Sequence, residues 1–185
     1  MTLATVDDRS RPSARIVLIK DLSRTAGFLT FYTHYVSRKA TELESIPYAA
    51  GVLHWDKLGR QIRLEGRVVR SPADESDAYF ATRPVGSQLN AWVSEQSHSL
   101  ESMEELTRKA RDKAKDFGLD AAPTDDRRLP RPAFWGGYRL WFSAVEFWQE
   151  GENRFHQRLR YERTLTSRDA HHFAAGPWSC QLLQP

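Results

Sequence analysis

The sequence predicts a mainly β fold with helices, an α+β chain in which an antiparallel β-barrel carries helices on its outside. Three observations predict it. Strand signals fill residues 2–69, helix signals run from Ser71 to Gly118, and strand signals return from Gly137. The strict strand–helix alternation that a doubly wound parallel sheet needs is absent. A length of 185 residues, 40% hydrophobic and 28% charged, suits one globular domain over 1–185, with a helical insertion at about 71–118 and closing strands at about 136–185.

Residues 2–6 and 14–19 read as strands around the polar turn Asp7-Asp8-Arg9-Ser10-Arg11-Pro12. Gly27 to Thr33 is a strand rich in aromatic and β-branched residues. Ser37 caps a short helix through Leu43 that ends before Pro47, and Ala49 to Trp55 reads as a buried strand. Gln61 to Val69 alternates, with Ile62, Leu64 and Val68 on one face and Arg63, Glu65 and Arg67 on the other. In the middle, Ser71 as N-cap and Pro72 at the first helical position open a helix to about Thr82. A second helix covers Gln88–Val93. Ser102-Met103-Glu104-Glu105 is a capping box opening a charged helix that stops near Gly118. Residues 119–134 form a Pro-rich connection. Strands follow at Tyr138–Phe142, Val145–Gln149 and Arg154–Arg163.

Bulk charge excludes little. Lys and Arg exceed Asp and Glu by 27 to 24, a formal +3 too small to imply nucleic acid. The lone Cys180 rules out a disulfide framework and a cysteine-based zinc site, and it suits a reducing cytoplasm. No apolar run approaches membrane-spanning length, and the start MTLATVDDRS lacks a signal pattern. No G-x-G-x-x-G, Walker A or H-E-x-x-H motif appears, and no metal site is expected. His171-His172 reads as structural, and Asp7-Asp8 and Asp125-Asp126 as turn residues.

Cations are placed more tellingly than they are counted. In a strand over 154–163, Arg154, His156, Arg158 and Arg160 share one face. Such a row calls for neutralising anions, although a solvated edge strand guarded by charge shows the same pattern. Arg15 and Lys20 bracket an apolar strand. Ser37-Arg38-Lys39 opens a helix, where free N–H groups and the dipole favour a phosphate and disfavour cations. An ordinary charged turn would look similar. Arg83-Pro84-Val85-Gly86-Ser87-Gln88 is a second helix start with an Arg and a hydroxyl. Two such starts suggest two phosphorylated ligands, such as a nucleotide cofactor and a substrate.

Taken together, these segments resemble the pyridoxamine 5′-phosphate oxidase family. The matching stretches are Arg15 to Lys20, Phe31-Tyr32-Thr33 with Ser37-Arg38-Lys39-Ala40, Arg60 to Gly66, Tyr79-Phe80, Arg83-Pro84-x-x-Ser87-Gln88 and Ala91-Trp92-x-Ser94-x-Gln96-Ser97. They end with Phe134 to Tyr138, Glu146 to Gln149 and Arg154-Phe155-His156-x-Arg158. The order is the family's, across nearly the whole chain.

The resemblance implies the flavin mononucleotide (FMN)-binding split barrel and a homodimer whose sites draw on both subunits. Arg15, Ile16, Val17, Leu18, Ile19, Lys20, Tyr32, Thr33, Arg38, Lys39, Gln61, Gln96, Ser97, Trp148 and Arg158 match FMN-contacting positions, with Arg38 and Lys39 on the phosphate. Lys20, Tyr79, Arg83, Ser87, Arg154 and His156 match positions that hold a phosphorylated pyridine, and Arg154 and His156 are the catalytic candidates. The implied reaction oxidises pyridoxamine or pyridoxine 5′-phosphate to pyridoxal 5′-phosphate, with hydride passing to flavin and then O2 as acceptor. Three departures bear on substrate handling: the chain begins at the first barrel strand, Gln157 replaces an acid, and Leu182 replaces an Arg after a longer stretch at 164–177. The phenazine-biosynthesis oxidases share the Arg-x-His-x-Arg pattern, but Lys20, Tyr79, Arg83 and Ser87 favour vitamin B6. A flavin-binding protein without turnover is the alternative of another class.

Overall fold

The structure, a computed structural model, describes residues 1–119 and 127–185, so the Asp125-Asp126 turn and part of the 119–134 connection lie outside the described residues. The chain divides into two compact units: residues 1–31, 42–70 and 138–185 form one, and 32–41 with 71–137 the other.

The first unit is built on an antiparallel sheet. β1 (Thr2–Val6) turns into β2 (Pro12–Ile16) around Asp7, whose carboxylate accepts the backbone N–H groups of Arg9 and Arg11 at 3.0 and 2.8 Å. β2 stops three residues short of the predicted end. Thr2 pairs with Ile16 and exhausts β1, after which the Val17 N–H reaches the Met1 carbonyl and the Lys20 N–H turns to Thr30. β3 (Asp21–Ser23), β4 (Phe28–His34), α1 (Arg38–Ser45), β5 (Tyr48–Trp55) and β6 (Arg60–Arg70) follow. β7 is one strand, Trp135–Gln149, where two were predicted, because Ser143 breaks the apolar pattern as an unpaired bulge residue without ending the strand. β6 slips register against it between Glu65 and Gly66, where a Cβ on Gly66 would collide with the Trp141 carbonyl.

The predicted strand over 154–163 needs the largest correction. Asn153 (φ 52°) and Arg154 (φ 67°) are left-handed and close a 3-10 turn over Glu152–Arg154, so β8 spans only Gln157–Glu162. Arg154 and His156 therefore do not share a strand face with Arg158 and Arg160. β8 is also no edge, since β7 and β11 (Ser179–Leu183) flank it. The atypical stretch folds as a hairpin, β9 (Leu165–Ser167) and β10 (Phe173–Ala175), and it buries Phe173 against Trp141. Strand order is β11-β8-β7-β6-β5-β1-β2, with β4 joining β3 to β7; no pairing among the described residues joins the two ends. Leu3, Leu29, Phe31, Leu64, Val68 and Leu140 fill the core.

The second unit holds α2 (Ala73–Ala81), α3 (Val85–Val93) and α4 (Met103–Asp116). Pro72, not Ser71, occupies the N-cap position of α2, and no side chain caps it there. α4 is capped as expected: Ser102 Oγ accepts the Glu105 N–H at 3.1 Å, and left-handed Gly118 (φ 64°) ends the helix. Phe80, Ala91, Leu129 and Trp135 form the core, with Tyr32, Tyr79 and Trp92 packed on it. Among the described residues no helix is long and apolar enough to cross a membrane, and no cluster of His, Cys, Asp or Glu could hold a metal.

Candidate functional site

In the second unit, β4 runs into α1 through Ser37, and α1 begins Arg38-Lys39 with no acidic residue in its first turn. The Lys39 ammonium is buried and donates to Thr33 Oγ1 (3.0 Å), Ser37 Oγ (3.1 Å) and Gln96 Oε1 (2.6 Å). Thr33 also donates to Gln96 at 2.8 Å, so three predicted residues from separate segments meet at one cation. Arg38 stands exposed beside them, and left-handed Ser97 (φ 76°) follows Gln96 in the loop. His34 lies buried nearby; desolvation first, then the Lys39 and Arg83 charges, push its pKa down to about 4. A neutral imidazole held among cations marks a locally positive environment.

Arg83 sits in the turn between α2 and α3. Gln88, fully buried, ties that turn down by donating to the Phe80 carbonyl (3.2 Å) and the Arg83 carbonyl (2.8 Å) while accepting the Leu129 N–H (2.7 Å). The Arg83 guanidinium lies 4.6 Å over the Trp135 ring, and its buried Nη1 makes no hydrogen bond among the described residues. Desolvation lowers its pKa. Tyr79 belongs to the same cluster through Tyr32, stacked at 3.9 Å. Ser87 lies in the first turn of α3, its N–H on the Pro84 carbonyl.

In the first unit, a groove of about 900 Å³ is lined by predicted residues Gln61, Trp148, His156 and Arg158 together with Trp55 and Leu182. The His156 ring packs 4.6 Å from Trp148, and its Nδ1 accepts the Gly151 N–H at 3.3 Å. Arg158 is aimed by Glu146, a fully buried carboxylate that accepts its Nε at 2.8 Å and also pairs with Arg63 at 3.3 Å. Arg160, the second cation of that face, pairs with Glu65 and Glu162. Those hydrogen bonds raise the pKa of Arg160 and lower that of Glu65. Arg15 is held by Glu42 at 3.1 Å and by Thr5 and Ser13. Neither Arg15 nor the exposed Ile16 and Leu18 line the groove, and Val17, Ile19, Lys20 and Arg154 also lie outside its lining.

Sequence reasoning did not single out Glu42 or His34, and it named Glu146 and Gln88 without giving either a role. Glu146 became visible only with register, which places it between Arg63 and Arg160. The residues present fit a bound FMN phosphate: cations at an acid-free helix start, and a buried, hydrogen-bonded ammonium beside it.

Residues 1–113 match the family described as pyridoxamine 5′-phosphate oxidase, and residues 135–185 match the pyridoxine 5′-phosphate oxidase C-terminal dimerisation region. A pyridoxine/pyridoxamine 5′-phosphate oxidase of Paraburkholderia phytofirmans is 47% identical over 185 residues, covering 100% of this chain and 78% of that one. One of Rubrobacter xylanophilus is 49% identical over 163 residues, 88% of this chain and 71% of that one. The structure of PhzG from Burkholderia lata, in complex with tetrahydrophenazine-1-carboxylic acid, superposes with a TM-score of 0.81 at 32% identity, covering 100% of this chain and 81% of that one. An FMN-binding protein of Nostoc punctiforme, at 18% identity and a TM-score of 0.67, covers 100% of this chain and 87% of that one and shares the fold. With both parts of the family matched and relatives near half identity along its length, the chain belongs to the pyridoxamine 5′-phosphate oxidase family and is an FMN-dependent oxidoreductase of that type.

Proposed function

We propose that this protein oxidises pyridoxamine 5′-phosphate or pyridoxine 5′-phosphate to pyridoxal 5′-phosphate, with FMN as cofactor and O2 as electron acceptor. The observation that carries the reading is Arg83: a half-buried guanidinium in the turn before α3, near Tyr79, whose buried Nη1 has no hydrogen-bond partner among the described residues. A planar cation with spare donors suits a phosphoryl group. This seat is distinct from the one at the start of α1, so a cofactor phosphate and a substrate phosphate each have a place.

When bound, the flavin supplies the two-electron acceptor for hydride from the substrate's 4′ carbon. The chain's own residues bind and orient. Arg38 and Lys39 hold the FMN phosphate. Arg15, Ile16, Val17, Leu18, Ile19, Lys20, Tyr32, Thr33, Gln61, Gln96, Ser97, Trp148 and Arg158 supply further cofactor contacts. Lys20, Tyr79, Arg83 and Ser87 seat the substrate phosphate, and Arg154 and His156 orient the pyridine. The left-handed Arg154 backbone supports its role, since strained positions gather at functional sites. The protein works as a homodimer with shared sites, the strands at 136–185 meeting the partner. Exposed Leu182, Phe147, Trp55 and Leu58 around the groove supply apolar surface for that contact.

The likeness to the phenazine-pathway structure keeps a second reading in play, oxidation of a dihydrophenazine carboxylic acid, and that substrate carries no phosphate for Arg83. Anaerobic mixing separates the two. Pyridoxamine 5′-phosphate should bleach the bound flavin; bleaching by a dihydrophenazine acid alone would overturn the assignment, and bleaching by neither would leave a flavin carrier.

A further inference from the structure

We infer that Trp135 is a positioning residue for substrate phosphate: its indole grips the face of the Arg83 guanidinium and leaves the N–H edge for the ligand. The inference rests on the reading of Arg83 as the phosphate seat. Arginine carries its donors in the guanidinium plane, and its faces are weakly hydrated, so an aromatic ring can hold the face without using a donor. The distances fit that arrangement: the Arg83 guanidinium carbon lies 4.6 Å from the Trp135 ring centroid and 5.4 Å from that of Phe80, and Nη1 is buried without a hydrogen-bond partner among the described residues. A carboxylate partner would have fixed the same cation at the cost of the donors that phosphate needs.

Trp135 is itself immobilised. It is 5% exposed, lies parallel to Tyr32 (5.5 Å, 12°) and Tyr79 (6.2 Å, 8°), and meets Phe80 edge-on at 5.1 Å. Its carbonyl accepts Arg131 Nη1 at 2.6 Å, while Arg131 Nε binds Asp77 of α2 at 2.6 Å. The ring and the helix that leads to Arg83 are thereby clamped together. A platform held at both its backbone and its ring can transmit geometry to the cation lying on it.

The test is the steady-state and anaerobic kinetics of FMN-loaded Trp135→Phe with pyridoxamine 5′-phosphate and with unphosphorylated pyridoxamine. The smaller ring should raise KM for the phosphorylated amine about tenfold, about 1.4 kcal/mol. It should leave kcat at saturation and the kcat/KM of pyridoxamine within about twofold. On an Arg83→Ala background the same change should add nothing to the phosphate preference. If Arg83→Ala itself fails to lower the preference for the phosphorylated amine, the reading of the seat is wrong. If Arg83→Ala lowers it and Trp135→Phe affects both amines alike or neither, the positioning role is wrong. Should Trp135→Phe not fold, Arg83→Lys decides: it keeps the charge but loses the flat face, so it should behave as Arg83→Ala does. Retention of the phosphate preference in Arg83→Lys would overturn the inference.

Discussion

His34 is neutral because ionising it would strand a charge away from water and beside Lys39 and Arg83. Its pKa, about 4 in the fold against an ordinary 6.5, makes stability depend on pH. Above 6.5 both states are neutral; as pH falls from 6.5 toward 4 the unfolded chain takes up a proton that the folded one refuses, and stability drops. The loss should reach up to about 3 kcal/mol, from about 1.4 kcal/mol per pKa unit. Urea unfolding between those pH values should show that slope in the wild type and its removal in His34→Gln; an unchanged slope would mean that another group sets it. Arg154 makes a second residue-scale prediction: Arg154→Ala should cost turnover far more than flavin retention, and equal losses would reassign it to the cofactor. Its proposed role comes from the resemblance, since the Arg-x-His-x-Arg spacing alone also suits a charged edge strand. Its conformation was not legible in the sequence. A left-handed Asn-Arg pair after Gly151 leaves no mark in a strand-like alternation, so the period-2 reading began three residues too early, at Arg154 instead of Gln157.

Elements were easier to read than the contacts between them. The strand–helix–strand order and the Ser102 cap follow from local chemistry, and each is present. What a single strand cannot show is its neighbour. Arg63, Glu146 and Arg160 lie in register across β6, β7 and β8, with Glu65 and Glu162 beside them, so the cationic face expected to need a ligand is largely neutralised by the sheet itself. Glu146 is the hinge of that arrangement, buried and shared between arginines. Glu146→Ala should destabilise the fold by about 3 kcal/mol or more, because removing one partner strands the others. It should also weaken FMN binding by releasing Arg158. A small change in the urea midpoint with normal FMN affinity would show that the arginines are satisfied elsewhere.

For the molecule, two cationic seats and a groove flanked by exposed apolar residues matter more than a net charge of +3. Nothing in the totals distinguishes this chain from an ordinary globular protein; position does. Lys39, Thr33 and Gln96 converge from β4, α1 and the loop after α3, an assembly visible in the sequence only through resemblance, because their separation along the chain hides it. On the proposed function, this assembly holds the flavin phosphate. Fluorescence titration of flavin-free protein with FMN and with riboflavin tests it most directly. Saturable quenching of FMN, far tighter than that of riboflavin, is expected, with Lys39→Met erasing the difference; equal affinity for the two, or no quenching of either, would show that the Lys39 cluster does not hold the phosphate.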